Sequence, residues 1–535
     1  MNRVSSFGQK ADTFRERCAK KFRLSKEQAF VHFRHQELEE SLLFAQASST
    51  FARSHHFGVW YDDEIEELLS SIGFSMFHHL PKHPPAFHRG RHKILYVATD
   101  LDALGGHSEG LRLWLKFLTG KPNLEQYLIT TGQATPAFLA KIEDIDCLPL
   151  RLDGDTLADR IASFVHQCLD VKPSCIFLFA NPDDVVAIAA VSVLKARLGA
   201  RVVFYDHADN EFWLGKRVAD VLVAFGPSQA YVSRRLRKYG GRLTIIPLTT
   251  DLGDGSVPRS DRAGAKQSTL SLSIGSPWKI VPDGFWNYFA VMREILERNR
   301  THTHTLLTKP DKCVTEILRS WPESLRGRII VKYGVTDPAS HYRQADFLIE
   351  TFPFSGGQVR IEAMALGLPV IFVRNSHFSH VFSHSGIDAL PGSYPFIADS
   401  NNDVTTHADV LIRHLDMRRK YGEFLRAMFQ RDFSPEVVRS KLEGLVEGTG
   451  IPDWADSFST MAGKVHIDDD YLLSSDLTRG PVPSPFLLVG RHVLRHDKLR
   501  FRVLLECLSK LMVEDWLWSL KHLAHPVRMA SPDGR

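Results

Sequence analysis

The sequence predicts an α/β chain built from two tandem doubly wound domains, and three observations carry that prediction. Short apolar runs rich in β-branched and aromatic residues recur from Lys93 to Ala398, with helical stretches between them. The runs are apolar on both faces, as strands of a parallel sheet covered by helices on both sides must be. The series is interrupted at Asp251–Ala265 (DLGDGSVPRSDRAGA), a Gly/Asp/Ser/Pro linker, and then starts again. At 535 residues the chain has room for several domains of roughly 100–200 residues each.

Taken in order, Lys26–Gln46 spaces its apolar residues three and four apart, which predicts a helix, and Asp62–Ile72 does so more briefly. Pro81–Arg91 (PKHPPAFHRGR) cannot continue a helix, so residues 1–90 read as a helical N-terminal extension. Strands are expected at Lys93–Ala98, Tyr127–Thr130, Cys175–Phe179, Val202–Tyr205, Val221–Phe225 and Thr244–Pro247. Helices are expected at Ser108–Leu118, Leu157–Leu169, Asp183–Arg197 and Ser228–Tyr239, giving a first domain over 91–255. The second, over 266–449, has strands at Leu272–Gly275, Thr305–Thr308, Ile329–Tyr333, Phe347–Glu350, Val370–Val373 and Pro395–Ala398. Phe285–Arg298 and Val359–Leu366 are its clearest helices. Residues 450–535 form a C-terminal extension. There Arg500–His522 is amphipathic with Trp516 and Trp518, and reads either as a helix packed on the body or as an interfacial membrane helix.

Composition removes several classes of function. Lys and Arg number 66 against 62 Asp and Glu, a net charge of +4, so the chain is no bulk polycation for nucleic acid. The longest nearly apolar run, Val185–Leu194, is far short of the roughly 20 residues of a membrane helix. Met1–Lys10 has no apolar signal core, and the six cysteines are scattered, so reduced thiols in a cytoplasm are expected. The 25 histidines include a cluster from His55 to His92, which lies among prolines and reads as a solvated linker.

The densest chemistry lies in Ala345–Val373 (ADFLIETFPFSGGQVRIEAMALGLPVIFV), which reads strand, loop, Ser-Gly-Gly, helix, Gly-x-Pro, strand. After Ser355, Gly356 and Gly357 let a backbone approach a ligand without Cβ interference, and the following helix offers unpaired N–H groups suited to a pyrophosphate. Glu362 sits about a turn into that helix, in reach of ribose hydroxyls. The same spacing also suits an ordinary glycine-rich turn.

This segment resembles the donor-binding segment of the O-GlcNAc transferase family and related GT-B glycosyltransferases. Ser276–Met292 (SPWKIVPDGFWNYFAVM) is similar to that family's Tyr-Lys-Ile-x-Pro segment, and Ile94–Gly110 (ILYVATDLDALGGHSEG) more weakly to its first strand and His-bearing loop. Gly357, Gln358 and Val359 stand where the family carries His-Thr-Thr, and no tetratricopeptide array is legible ahead of the region. The resemblance implies two Rossmann-like domains in the GT-B arrangement. It also implies a nucleotide-sugar co-substrate, UDP-linked and of the UDP-GlcNAc type, with no metal. Lys279 would meet the donor diphosphate, where negative charge accumulates as the glycosidic bond breaks. Gln358 falls within the donor turn. Arg360 either supplies a second cation or lies on the helix surface.

An acceptor hydroxyl needs a base, and the candidates follow strands of the first domain. His107 stands in Gly105-Gly106-His107-Ser108, and His207 in a loop with Asp206 and Asp209. His107 either faces the donor or caps its helix, and His207 either faces the donor or pairs with its neighbouring Asp. Asp100-Leu101-Asp102 imitates a metal motif but reads as a capping loop, and His377, His380 and His384 lack an identifiable fourth ligand. The expected function is transfer of a sugar to a glycan, lipid-linked or protein acceptor by a hexosyltransferase of the N-acetylglucosaminyl type. The expected location is cytoplasmic or peripheral at the inner face of a membrane. A sugar-nucleotide epimerase or phosphorylase, and a catalytically silent nucleotide-sugar-binding protein, remain as alternatives.

Overall fold

The computed structural model describes residues 2–81, 92–103, 105–208, 211–253, 268–335, 337–375, 394–448 and 484–489, with Val503, Cys507, Ser509 and Lys510. It opens with α1 (Asn2–Arg34), α2 (Leu38–Ser54) and α3 (Asp63–Met76). The single helix expected over Lys26–Gln46 is therefore two. Gln36 adopts φ 60°, a left-handed conformation that ends a helix. The Glu37 N–H then donates to the His32 carbonyl at 3.0 Å, while the two side chains meet at 2.6 Å. Apolar periodicity runs through this break, which is why spacing alone misses it.

The first sheet follows, with β1 (His92–Ala98), β2 (Leu124–Thr130), β3 (Leu148–Leu150), β4 (Cys175–Phe179), β5 (Arg201–Tyr205), β6 (Val221–Ala224) and β7 (Arg242–Ile245). All pair in parallel in the order β3-β2-β1-β4-β5-β6-β7. Between them run α4 (Gly106–Leu118), α5 (Pro136–Lys141), α6 (Leu157–Val171), α7 (Val185–Leu198) and α8 (Pro227–Arg235). The second sheet has β8 (Leu270–Ile274), β9 (Thr303–Thr308), β10 (Ile329–Tyr333), β11 (Phe347–Ile349), β12 (Val370–Val373) and β13 (Ile397–Ala398). Its order is β10-β9-β8-β11-β12-β13, again parallel. Its helices are α9 (Tyr288–Arg298), α10 (Lys312–Arg319), α11 (Glu323–Arg326), α12 (Ala339–Gln344), α13 (Gly357–Ala365), α14 (Asn401–Arg413), α15 (Leu415–Asp432) and α16 (Pro435–Glu447). In each sheet the chain reverses its direction of growth beside the first strand, at β1/β4 and β8/β11. Ligands of doubly wound sheets bind at the carboxyl ends of such pairs.

The N-terminal helices are part of the first domain's core. Helix α7 is apolar all round, and such a helix must be covered on every side. The sheet covers one side and α3 another, at a distance that only glycine permits: a Cβ on Gly73 would lie 2.8 Å from the Ala189 carbonyl oxygen and from Val193 Cγ2. Two buried carboxylates reinforce the layer. Glu39 accepts from the N–H groups of Leu157 and Ala158 at the start of α6. Glu66 accepts from Gly215, Lys216 and Arg217 at 2.9, 3.0 and 2.7 Å. Burial pushes the Glu66 carboxyl up to about 7 against those three donors.

The C-terminal parts also return to the first domain. Val438, Leu442, Leu445 and Val446 of α16 share a core with Ile94, Tyr96, Trp114 and Phe117. Arg201 donates to the Leu445 and Val446 carbonyls. Phe486, Leu487, Val489, Val503 and Cys507 are buried with the N-terminal helices, so within Arg500–His522 the packed reading holds at Val503 and Cys507. The rest of Arg500–His522, with Trp516 and Trp518, lies outside the described residues. Among the described residues no helix is long and apolar enough to cross a membrane.

Candidate functional site

The second sheet's crevice gathers the predicted donor-side residues. After β8 the chain turns through Gly275 and Ser276 into a short 3-10 turn, Pro277–Ile280, which brings in Lys279. Its ammonium donates to the Ser355 carbonyl at 2.9 Å and lies beside Gly356, the residue that caps α13. Arg360 is fully buried, so the surface alternative fails. It pairs with Glu350 at 2.8 Å, just past β11. Glu350 in turn accepts from the Val373 N–H at 2.8 Å, which locks the pair to β12. Burial and the Arg360 charge push the Lys279 ammonium down to about 8, with Glu350 opposing. With Lys279 protonated, Lys279, Arg360 and Glu350 together place a net charge of +1 at the N-terminal end of α13. No sequence signal pairs Glu350 with Arg360.

Helix α13 also faces the first domain. Gln358 donates to the Thr249 carbonyl at 2.9 Å, and a Cβ on Gly106 would lie 3.2 Å from the Gln358 Cβ. The Gln358 Oε1 and Thr249 Oγ1 atoms are buried without a hydrogen-bond partner among the described residues. Polar atoms in that condition mark a place where a ligand or water completes the structure. Glu362 lies beside Tyr342 and Gln358, and burial pushes its carboxyl up to about 7. The first domain's end is tied down by Asp251, which accepts from Arg112 at 3.0 Å and Lys116 at 2.6 Å on α4.

Across the cleft, His107 and His207 stack with ring centroids 4.0 Å apart. His107 stands at the start of α4 and its Nε2 lies 2.6 Å from the Phe179 carbonyl oxygen at the end of β4. A carbonyl only accepts, so Nε2 carries the proton and Nδ1 keeps its lone pair. Burial holds His107 down to about 4, and holds His207 well below its ordinary value. Both are neutral at pH 7, so each keeps a lone pair, and the same burial makes each a weaker base than an ordinary imidazole.

Asp206 requires a correction. Its carboxylate, 1% exposed, accepts from Arg237 and Ser233, both at 2.8 Å. That buried ion pair holds the loop and engages the group proposed as a base. It also removes the pairing of His207 with its neighbour. Asp209 lies outside the described residues, as do His377, His380 and His384. Asp100 accepts from the Gln133 N–H at 3.0 Å and from Asn181 at 3.2 Å, bridging strand ends where a helix cap was expected. Among the described residues no three His, Cys, Asp or Glu side chains are placed to hold a metal ion.

No protein-family model and no curated protein matches the chain. Solved structures do. A glycosyltransferase from Rickettsia africae matches with a TM-score of 0.52 at 14% identity, over 67% of this chain and 98% of that one. Anabaena HepE, solved with UDP and glucose, gives 0.50 at 11% identity, over 67% and 100%. A mutant Thermobaculum terrenum O-GlcNAc transferase gives 0.48 at 15%, over 86% and 85%. At such identities the likeness is one of fold: this chain has the two-domain GT-B fold that its sequence predicts.

Proposed function

We propose that the chain is a glycosyltransferase. It holds a nucleotide-diphosphate sugar on the second domain and transfers the sugar to a hydroxyl presented by the first. The observation that carries this reading is the net positive charge that Lys279, Arg360 and Glu350 place at the N-terminus of α13. A diphosphate supplies the missing negative charge, and Ser355, Gly356, Gly357 and Gln358 let it approach the helix N–H groups. Glu362 would receive the ribose hydroxyls. As the glycosidic bond breaks, the leaving diphosphate gains charge that Lys279 stabilises without reorganising.

The acceptor hydroxyl gives its proton to His107 or His207, whose neutral rings face the cleft from the first domain. Its oxygen attacks the anomeric carbon as the diphosphate departs. The family resemblance favours a UDP-linked donor, with UDP-GlcNAc first, and a glycan, lipid-linked or protein acceptor. Incubation with a panel of sugar nucleotides, with and without such acceptors, tests the proposal. Nucleotide release that depends on an acceptor supports it. Conversion of the sugar nucleotide alone would indicate an epimerase, and binding without turnover a silent binding protein.

A further inference from the structure

The loops that follow β4 and β5 are joined by a residue from outside both. Arg53, on α2, donates to Asp183 at 2.9 Å through Nη1 and to Glu211 at 2.7 Å through Nε. Thr50 and Gln46, one and two turns back on the same helix, donate to the Asp183 carboxylate and carbonyl, each at 2.6 Å. One face of α2 thus grips the β4 loop, and its last turn reaches across to the β5 loop. The end of β4 holds one ring of the histidine pair, and the β5 loop carries the other. His107 is bonded to Phe179 on the β4 side. His207 is next to Ala208, whose carbonyl accepts from the Glu211 N–H at 3.3 Å and from Arg237 beneath.

We propose that Arg53 is a positioning residue for His107 and His207: it clamps the β4 and β5 loops together and so keeps the two rings stacked at the cleft. The meaning of the clamp for turnover rests on the glycosyltransferase reading, but its structural content does not. The charged groups around the pair are Arg53 with its partners Asp183 and Glu211, and Arg237 with Asp206. Arg53 also acts on the pair through its charge, which helps to hold both imidazoles neutral. Its removal leaves two carboxylates without their cation, so both changes push the histidines the same way, toward easier protonation.

The test is histidine-selective NMR titration of the full chain as wild type, R53Q and R53K, with UDP affinity measured on the same samples. Wild-type resonances of His107 and His207 should remain those of neutral rings down to about pH 5, and should show ring-current shifts from stacking. R53Q should raise both titration midpoints and shrink the ring-current shifts, while UDP affinity stays within about twofold. R53K keeps the charge but cannot bridge both carboxylates in the same fork. It should retain most of the low midpoints and lose part of the stacking signature, and it carries the test if R53Q does not fold. Unchanged midpoints and unchanged ring-current shifts in a folded variant would overturn the clamp. Absence of UDP binding by the wild type would count against the nucleotide-sugar reading and leave the clamp to be judged on the resonances.

Discussion

Replacing Lys279 by Met removes the ammonium beside the N-terminus of α13 while keeping most of its aliphatic volume. In the free protein burial and Arg360 press this group from 10.5 to about 8. A bound diphosphate reverses that pressure. At roughly 1.4 kcal/mol per pH unit, full restoration corresponds to about 3 kcal/mol, the upper end of the ~1.5–3 kcal/mol typical of charged hydrogen bonds. K279M should therefore weaken UDP binding about 10- to 100-fold at pH 7. The sign of the pH dependence follows from the same shift. Binding raises the Lys279 pKa, so the complex takes up a proton above pH 8. Wild-type affinity should be flat below pH 8, fall as pH rises toward 10, and there approach that of K279M. Calorimetry of UDP binding at pH 7, 8, 9 and 10, in buffers of different ionisation enthalpy, reads both affinity and proton uptake. Equal affinities of wild type and K279M at pH 7 would refute the placement of the diphosphate. A wild-type affinity that does not change with pH would refute the protonation account.

Other consequences are open to simpler measurements. H107Q or H207Q, whichever removes the base, should lower kcat by about 10²- to 10⁴-fold with UDP affinity nearly unchanged, and wild-type turnover in both would place the base elsewhere. Saturating EDTA should leave turnover nearly unchanged, since Lys279 and the α13 terminus supply the positive charge; loss restored by manganese would contradict this. Gly73→Val forces side-chain atoms against Ala189 and Val193, so the melting temperature should fall by an amount equivalent to about 1–3 kcal/mol, while an unchanged value would mean that α3 is not seated on α7. His302 and His304 are buried in a chain of hydrogen bonds through Ser271 to Tyr288, and burial holds both down to about 3. Their contribution to stability is present above the ordinary histidine range and is lost as pH falls from about 6.5 toward 3, at up to roughly 1.4 kcal/mol per histidine per pH unit. Acid unfolding that H304F does not shift would show that this network is not what fails.

What the sequence makes legible, and what it hides, follows from the range of the interactions. The strand runs are continuous and apolar because both faces of each sheet are covered, and Ala345–Val373 keeps its strand, turn and helix together in one local segment. The secondary structure of that segment is thus readable almost residue by residue. The covering of α7 is not, because an all-apolar helix announces that it is buried but not by what. Helix α3 supplies part of that cover through Gly73, from a segment remote in sequence. The Asp206–Arg237 pair is hidden for the same reason: an aspartate at a sheet's ligand edge looks like chemistry until its buried partner is seen. The break at Gln36 occurs within continuing apolar periodicity, and the return of α16 to the first sheet is hidden because periodicity records burial and not direction.

The most direct measurement is a structure of the protein with UDP bound. The account predicts the diphosphate at the N-terminus of α13, with an oxygen within hydrogen-bond reach of the Lys279 ammonium, the backbone lying over Gly356 and Gly357, and the ribose toward Glu362. A diphosphate bound elsewhere, or a UDP that leaves Lys279 bonded only to Ser355, would contradict it.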